Sequence, residues 1–148
     1  MIKIINILVF FSVVTFAASC QSSQLMVERI KVQKILPGLQ NEPIRMKYQV
    51  LLKDEKGEFD ELIGFWYQKE KVSLDHVTVT DTKDQKILSF ETSIISNSEE
   101  KPNVSMKGEA LLHVLTSSGG KKYFHVKKAD VIEEEDLALP SAPPGGLD

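Results

Sequence analysis

Apolar and polar residues alternate one for one along most of this chain. In Ile44-Arg45-Met46-Lys47-Tyr48-Gln49-Val50 the alternation is clean. Successive side chains of a strand point to opposite faces, so such a run builds a sheet with one apolar and one polar side. The same pattern, less clean, marks residues 26–36, 59–68, 72–82, 86–95, 104–116 and 122–131. β-branched and aromatic residues fill these runs, as a half-buried pleated surface prefers. No segment from residue 25 to residue 131 keeps a helical period beyond about two turns. The pattern therefore predicts an all-β fold of about seven strands.

Turn-forming clusters separate the runs: Pro37-Gly38, Asp54-Glu55-Lys56-Gly57, Lys69-Glu70-Lys71, Thr82-Lys83-Asp84, residues 98–103 and residues 117–120. Seven short strands with one apolar face each are expected to pack as a small antiparallel β-sandwich, immunoglobulin-like in outline. The Cys–Trp–Cys signature of antibody domains is absent. A small barrel is the alternative closure. One hairpin register can be weighed directly. A loop of Ser118-Gly119-Gly120 pairs Val114 with Phe124 and Leu112 with Val126. A one-residue slip would set Val114 against His125 and turn a strand's apolar set to the wrong side. Around Lys56-Gly57, a hairpin of either two or four loop residues puts Met46, Tyr48 and Val50 on one face with Ile63, Phe65 and Tyr67.

The first residues are of another kind. Met1-Ile2-Lys3 is a short positive start, and residues 4–16 are apolar except for Asn6, Ser12 and Thr15. That run is shorter than the ~20 residues a helix needs to cross a bilayer core. Ala17-Ala18-Ser19 then supplies the small side chains of a signal-peptidase site. Cys20 follows at once and is the only cysteine. Phe16-Ala17-Ala18-Ser19-Cys20 resembles the lipobox of bacterial lipoproteins. It departs from the common pattern at Ala17, where leucine is usual, and Ser19 stands where glycine or alanine is commoner. The resemblance covers only the leader and Cys20. It implies cleavage before Cys20 and acylation of that residue. Each buried methylene contributes ~0.8 kcal/mol, so two chains anchor stably where one does not. With Cys20 so used, no disulfide can form, although an exported compartment permits them.

These readings divide the chain into a signal peptide (1–19), a lipidated tether (20–24), a β-sandwich domain (25–132) and an acidic, Pro/Gly-rich tail (133–148). The tether Gln21-Ser22-Ser23-Gln24 lacks an acidic cluster, which favours a periplasm-facing place on the outer membrane over surface export. The tail, opening on Glu133-Glu134-Glu135-Asp136, has too little apolar surface to offset its ordering entropy and is expected to be disordered. Losing the leader removes Lys3 and no acid, so the net charge of −3 becomes −4. Mild, mixed charge excludes a nucleic-acid surface.

Residues able to carry chemistry are few. In the favoured register His113 and His125 lie opposite each other on the polar face of one hairpin. Cross-strand Cβ atoms there are ~5 Å apart, within reach of a shared metal ion. His76 is remote in sequence, and Met106 falls on the opposite face. No serine sits in a G-x-S-x-G elbow. Asp60 and Glu61, as neighbours on a strand, point to opposite sides and cannot act together. Gly119-Gly120 precedes no helix and cannot cradle a phosphate. Nothing points to a cofactor. Trp66 alternates against Phe65 and Tyr67, and parity sets Leu51 and Leu62 on its side. That apolar patch is either a partner-contact surface or is covered by another segment. The expected function is non-catalytic: an anchored envelope module that binds or scaffolds a partner protein through a sheet edge, the Trp66 face or the tail. The alternative is a periplasmic metal or small-ligand binder using His113 and His125.

Overall fold

The computed structural model describes residues 24–93 and 100–140. Their strands are β1 (Met26–Leu36), β2 (Arg45–Lys53), β3 (Phe59–Tyr67), β4 (Glu70–Lys71), β5 (Thr78–Asp81), β6 (Gln85–Ser93), β7 (Ala110–Thr116), β8 (Lys121–Val126), β9 (Val131–Glu133) and β10 (Leu137–Ala138). The first sheet runs β10-β1-β2-β6-β5, with β9 also on β1, and the second runs β4-β3-β7-β8. The two pack face to face as the all-β sandwich that the alternation predicts. Residues 1–19, Cys20 and the tether up to residue 23 lie outside the described residues.

The interior is filled by the faces that the period of two picks out. From the first sheet come Ile30, Val32, Tyr48, Val50, Leu52, Leu88 and Phe90; from the second come Phe65, Tyr67, Ala110, Leu112, Val114 and Val126. Tyr48 sits among three rings. Its centroid lies 5.2 Å from Phe65, 5.4 Å from Phe90 and 5.6 Å from Tyr67. Aromatic pairs in these edge-on or stacked geometries contribute beyond their buried area. At the end of the core the Tyr67 hydroxyl donates to Glu133 Oε1 at 3.3 Å. Burial first, then the carboxylates of Glu133 and Glu109, push the Tyr67 hydroxyl up to about 12.

The structure corrects the sequence reading in several places. β2 and β3 are not a hairpin, because the turn after β2 carries the chain from one sheet to the other. Tyr48 and Val50 do share a surface with Phe65 and Tyr67, but across the interior. The run 72–82 is broken. Gln68 and Lys69 both adopt positive φ, 50° and 70°, as a tight two-residue turn requires, so β4 folds back on β3 at once. The run 104–116 is a strand only from Ala110. Ahead of it, residues 100–109 cross the outer side of the second sheet without pairing as a strand.

The β7–β8 register is shifted by two from the expected one. Leu112 pairs with Phe124 and Val114 with Lys122. The Thr116 amide and hydroxyl both donate to Gly120 O, at 2.8 and 3.0 Å, which closes the loop one residue earlier, at 117–119. Gly119, with φ 86°, then takes the left-handed position that such a loop needs. An even shift keeps every apolar side chain on its face, so face patterning cannot detect it.

The segment expected to be disordered from residue 133 is paired as far as Leu139. β9 and β10 lie parallel along β1, with Val131 beside Ile30 and Leu137 beside Ile35. Glu134 N donates to Val32 O at 2.8 Å, and Leu139 N to Leu36 O at 3.1 Å. Ile132 and Leu137 stay 41% and 46% exposed, so apolar burial is not what holds this segment. The open edge of β1 supplies backbone partners instead. Residues 141–148 of the tail lie outside the described residues.

Candidate functional site

The sandwich is open along one side, where β5 faces the first half of β3. β5 is four residues long and among the described residues pairs only with β6, with Val79 opposite Leu88. Leu88 is fully buried in the interior, and opposite residues share a face, so Val79 points inward too. Yet Val79 is 44% exposed. The reason lies in the second sheet. β4 covers only Trp66 and Tyr67 of β3 and leaves residues 59–63 without a neighbour on that side.

A groove of about 460 Å³ results, floored by Phe59, Leu62, Leu74, Val77 and Val79, with Asp60, Glu61 and Ile63 also lining it. With the bulge at Phe59/Glu61, both Asp60 and Glu61 are exposed and line this one groove, contrary to the expectation that they point to opposite sides. Neither carboxylate has a hydrogen-bond or ion-pair partner among the described residues. β5 itself is firmly placed. Lys86 Nζ lies 2.8 Å from Asp81 Oδ1, and Thr82 and Gln85 exchange backbone bonds across a tight turn. Among the described residues the result is an unpaired strand edge beside an apolar trough with unpartnered carboxylates.

The Trp66 patch of the sequence reading does not form. Bulges at Phe59/Glu61 and Leu62/Gly64 add residues to β3 and switch its parity, which sends Leu62 into the core at 5% exposure. Leu51 faces outward, but from the other sheet, beside Arg29 and Ile87. Trp66 is itself 5% exposed. Its indole N–H donates to Glu100 O at 2.8 Å, and Lys71 bridges to the Glu100 carboxylate at 2.6 Å while lying 5.7 Å from the ring centroid. Residues 100–107 thus cap a second small core on the outer side, where Leu111 is fully buried. Gly64 makes room for the indole, since a Cβ there would lie 2.7 Å from the ring.

His113 and His125 share the outer face but are not opposite each other. His113 stands against Tyr123, ring on ring at 4.1 Å, and His125 stands against Leu111. His125 Nδ1 accepts the Lys107 amide at 3.2 Å, which helps pin the capping segment. Among the described residues no group of three or more His, Cys, Asp or Glu side chains could hold a metal ion. His113 Nε2 is buried without a hydrogen-bond partner among the described residues.

Desolvation, and to a lesser degree Lys121, hold the His113 imidazole below its ordinary 6.5. A depressed folded-state value means that the unfolded chain takes up the proton first. The stabilising contribution is present above about 6.5 and is lost as pH falls below it. Denaturant unfolding at about pH 7.5 and about pH 5 should show a loss of stability on acidification that is smaller in His113→Phe, which keeps the ring stack and cannot titrate. Equal losses in both proteins would remove His113 from the pH response.

A second hollow, of about 520 Å³, is lined by Arg45, Lys47, Asp75, His76 and Glu91 among others. Arg45 is paired with Glu91 at 3.2 Å, and Asp75 accepts from Ser73 at 2.7 Å. No family model, curated protein or solved structure matches this chain. The open edge at β5 was not foreseen from sequence, since Val79 sits in its run as any inward residue does.

Proposed function

We propose that this chain is a bacterial envelope lipoprotein, anchored through acylated Cys20 on the periplasmic side of the outer membrane, whose β-sandwich holds a partner protein without catalysis. The lipobox-like sequence ending at Cys20 supports the anchor. Three contact surfaces follow from the sequence, and the geometry favours one. Trp66 lies under residues 100–107, and the acidic segment is laid along β1. Among the described residues the edge of β5 stays unpaired beside the groove, and this observation carries the reading. Strand addition suits such an edge, because backbone bonds give affinity and alternate side chains give selectivity.

Two measurements test the reading. Intact mass spectrometry of protein purified from native membranes should give a mass beginning at Cys20 plus acyl chains, and Cys20→Ala should lose both cleavage and acylation. A mass beginning at Cys20 with no added lipid would remove the anchor. A photo-crosslinker at position 80 on β5 should join the protein to a second polypeptide in the intact envelope, whereas one at Lys53 on the outer end of β2 should not. Equal labelling from both positions would show that β5 is not the contact.

A further inference from the structure

We infer that the groove along β5 receives an extended, basic segment of the partner polypeptide, added as a further strand to the first sheet. The inference rests on the reading of β5 as the contact edge and adds the chemistry of its occupant. Val79 supplies the first argument. It points toward the interior and is nearly half exposed, so one apolar side chain at the matching position of an added strand would complete the core there. A strand alternates its side chains, so the occupant carries apolar residues at every second position over the groove.

Charge supplies the second argument. Asp60 and Glu61 line the groove with no partner among the described residues, and the Asp81 side chain remains 68% exposed despite its pair with Lys86. Three carboxylates beside one short edge select a basic partner and speed its encounter. The other edges differ. β4 is two residues long, β9 and β10 on the far side of the first sheet are three and two, and β8 carries Lys121 and Lys122, charges of the kind that blunt an edge. A second copy of this chain is a poor occupant, because it would bring its own Asp60, Glu61 and Asp81 to the same junction. A four-residue edge offers few backbone bonds. Selectivity therefore has to come from the apolar trough and its acidic lining.

The test uses the full protein purified from membranes in non-ionic detergent, with three synthetic peptides. One alternates valine with lysine, one alternates valine with glutamate, and one has the first composition in blocks. Amide hydrogen exchange at Val79 and Asp81 is the readout, because the mutual backbone bonds of Thr82 and Gln85 set an alternation that turns the Thr78 and Thr80 amides toward β6 and these two outward. The alternating lysine peptide should protect these amides. The double variant Asp60→Asn/Glu61→Gln should weaken its binding about fivefold or more at low ionic strength, with a smaller effect at high salt. Val79→Lys, at an exposed position that leaves the fold intact, should abolish protection. Equal protection by the glutamate peptide would overturn the basic occupant and leave the edge reading standing. Protection that rises with protein concentration alone would overturn it in favour of a second copy. Failure of all three peptides, with position 80 still crosslinking, would also overturn the basic alternating strand. Loss of that crosslink is what sinks the edge itself.

Discussion

Phe65→Ala is expected to cost about 4 kcal/mol of folding stability, within the usual range for emptying a buried phenylalanine site. Phe65 is fully buried on β3, and its ring meets Tyr48 and Phe90 edge-on, each with centroids 5.2 Å apart. Tyr48 and Phe90 belong to the first sheet, so Phe65 joins the two layers through two rings, where Tyr67 does so through Tyr48 alone. Truncation removes its buried area and both aromatic contacts, and the surrounding strands can close the void only in part. Small domains hold about 5–15 kcal/mol in total, so this one change removes a large share. Urea unfolding followed by tryptophan fluorescence would measure it, because Trp66 is adjacent in sequence. Phe65→Leu should cost far less, since it keeps most of the volume. A loss below about 1 kcal/mol for the alanine variant would mean that the sheets do not pack through this ring.

Asp54→Ala is expected to cost about 3 kcal/mol, through hydrogen bonding and not through volume. Asp54 is 7% exposed and follows the last residue of β2, where the chain crosses between sheets. Its two carboxylate oxygens accept the amides of Glu58 and Phe59 at 2.8 and 3.0 Å, and its own amide donates to Asp84 O at 3.0 Å. The residue thereby ties the crossing on both sides, its carboxylate to the start of β3 and its backbone amide to the turn before β6. Bonds to an ionised acceptor are the stronger class, and their loss strands the buried Phe59 amide without a partner. Gly57, with φ 67°, supplies the left-handed residue that lets the turn close around the carboxylate. Asp54→Asn should recover part of the loss, because its amide oxygen can still accept one of the two bonds. If alanine and asparagine behave alike and both cost little, the carboxylate is not the staple of the crossing. Melting temperatures of the three proteins decide the matter: a loss of this size lowers the midpoint by about 10–20 °C in a domain near 100 residues.

Much of the core was legible in the sequence and little of the candidate site was. The clean alternation of residues 44–50 put Tyr48 and Val50 on the inner face, and both are there. Leu112 and Val114 were placed inward by the same rule. β1 spans the run that the pattern marked. Leu62 was misplaced because a bulge adds a residue without changing the composition of the run around it. His113 and His125 were set opposite each other because two registers two residues apart bury the same side chains. Thr116, through its bonds to Gly120, chose between them. The segment after Val131 was judged by its own apolar content, whereas its partner is the backbone edge of a strand a hundred residues earlier.

The sequence by itself determined the class of fold and the side of each strand that turns inward. Both are local properties, written in consecutive residues by the two-residue repeat of an extended chain. The tertiary structure alone decided which strands share a sheet, which registers close them, what covers Trp66 and which edge remains open. Those are choices among pairings that bury nearly the same apolar surface. They are settled by a few specific bonds between distant residues, such as Asp54 with Phe59, Trp66 with Glu100 and Val32 with Glu134. The edge at β5 is open because β5 ends the first sheet among the described residues, and the groove beside it because β4 covers only two residues of β3; no pattern within residues 78–81 could announce either.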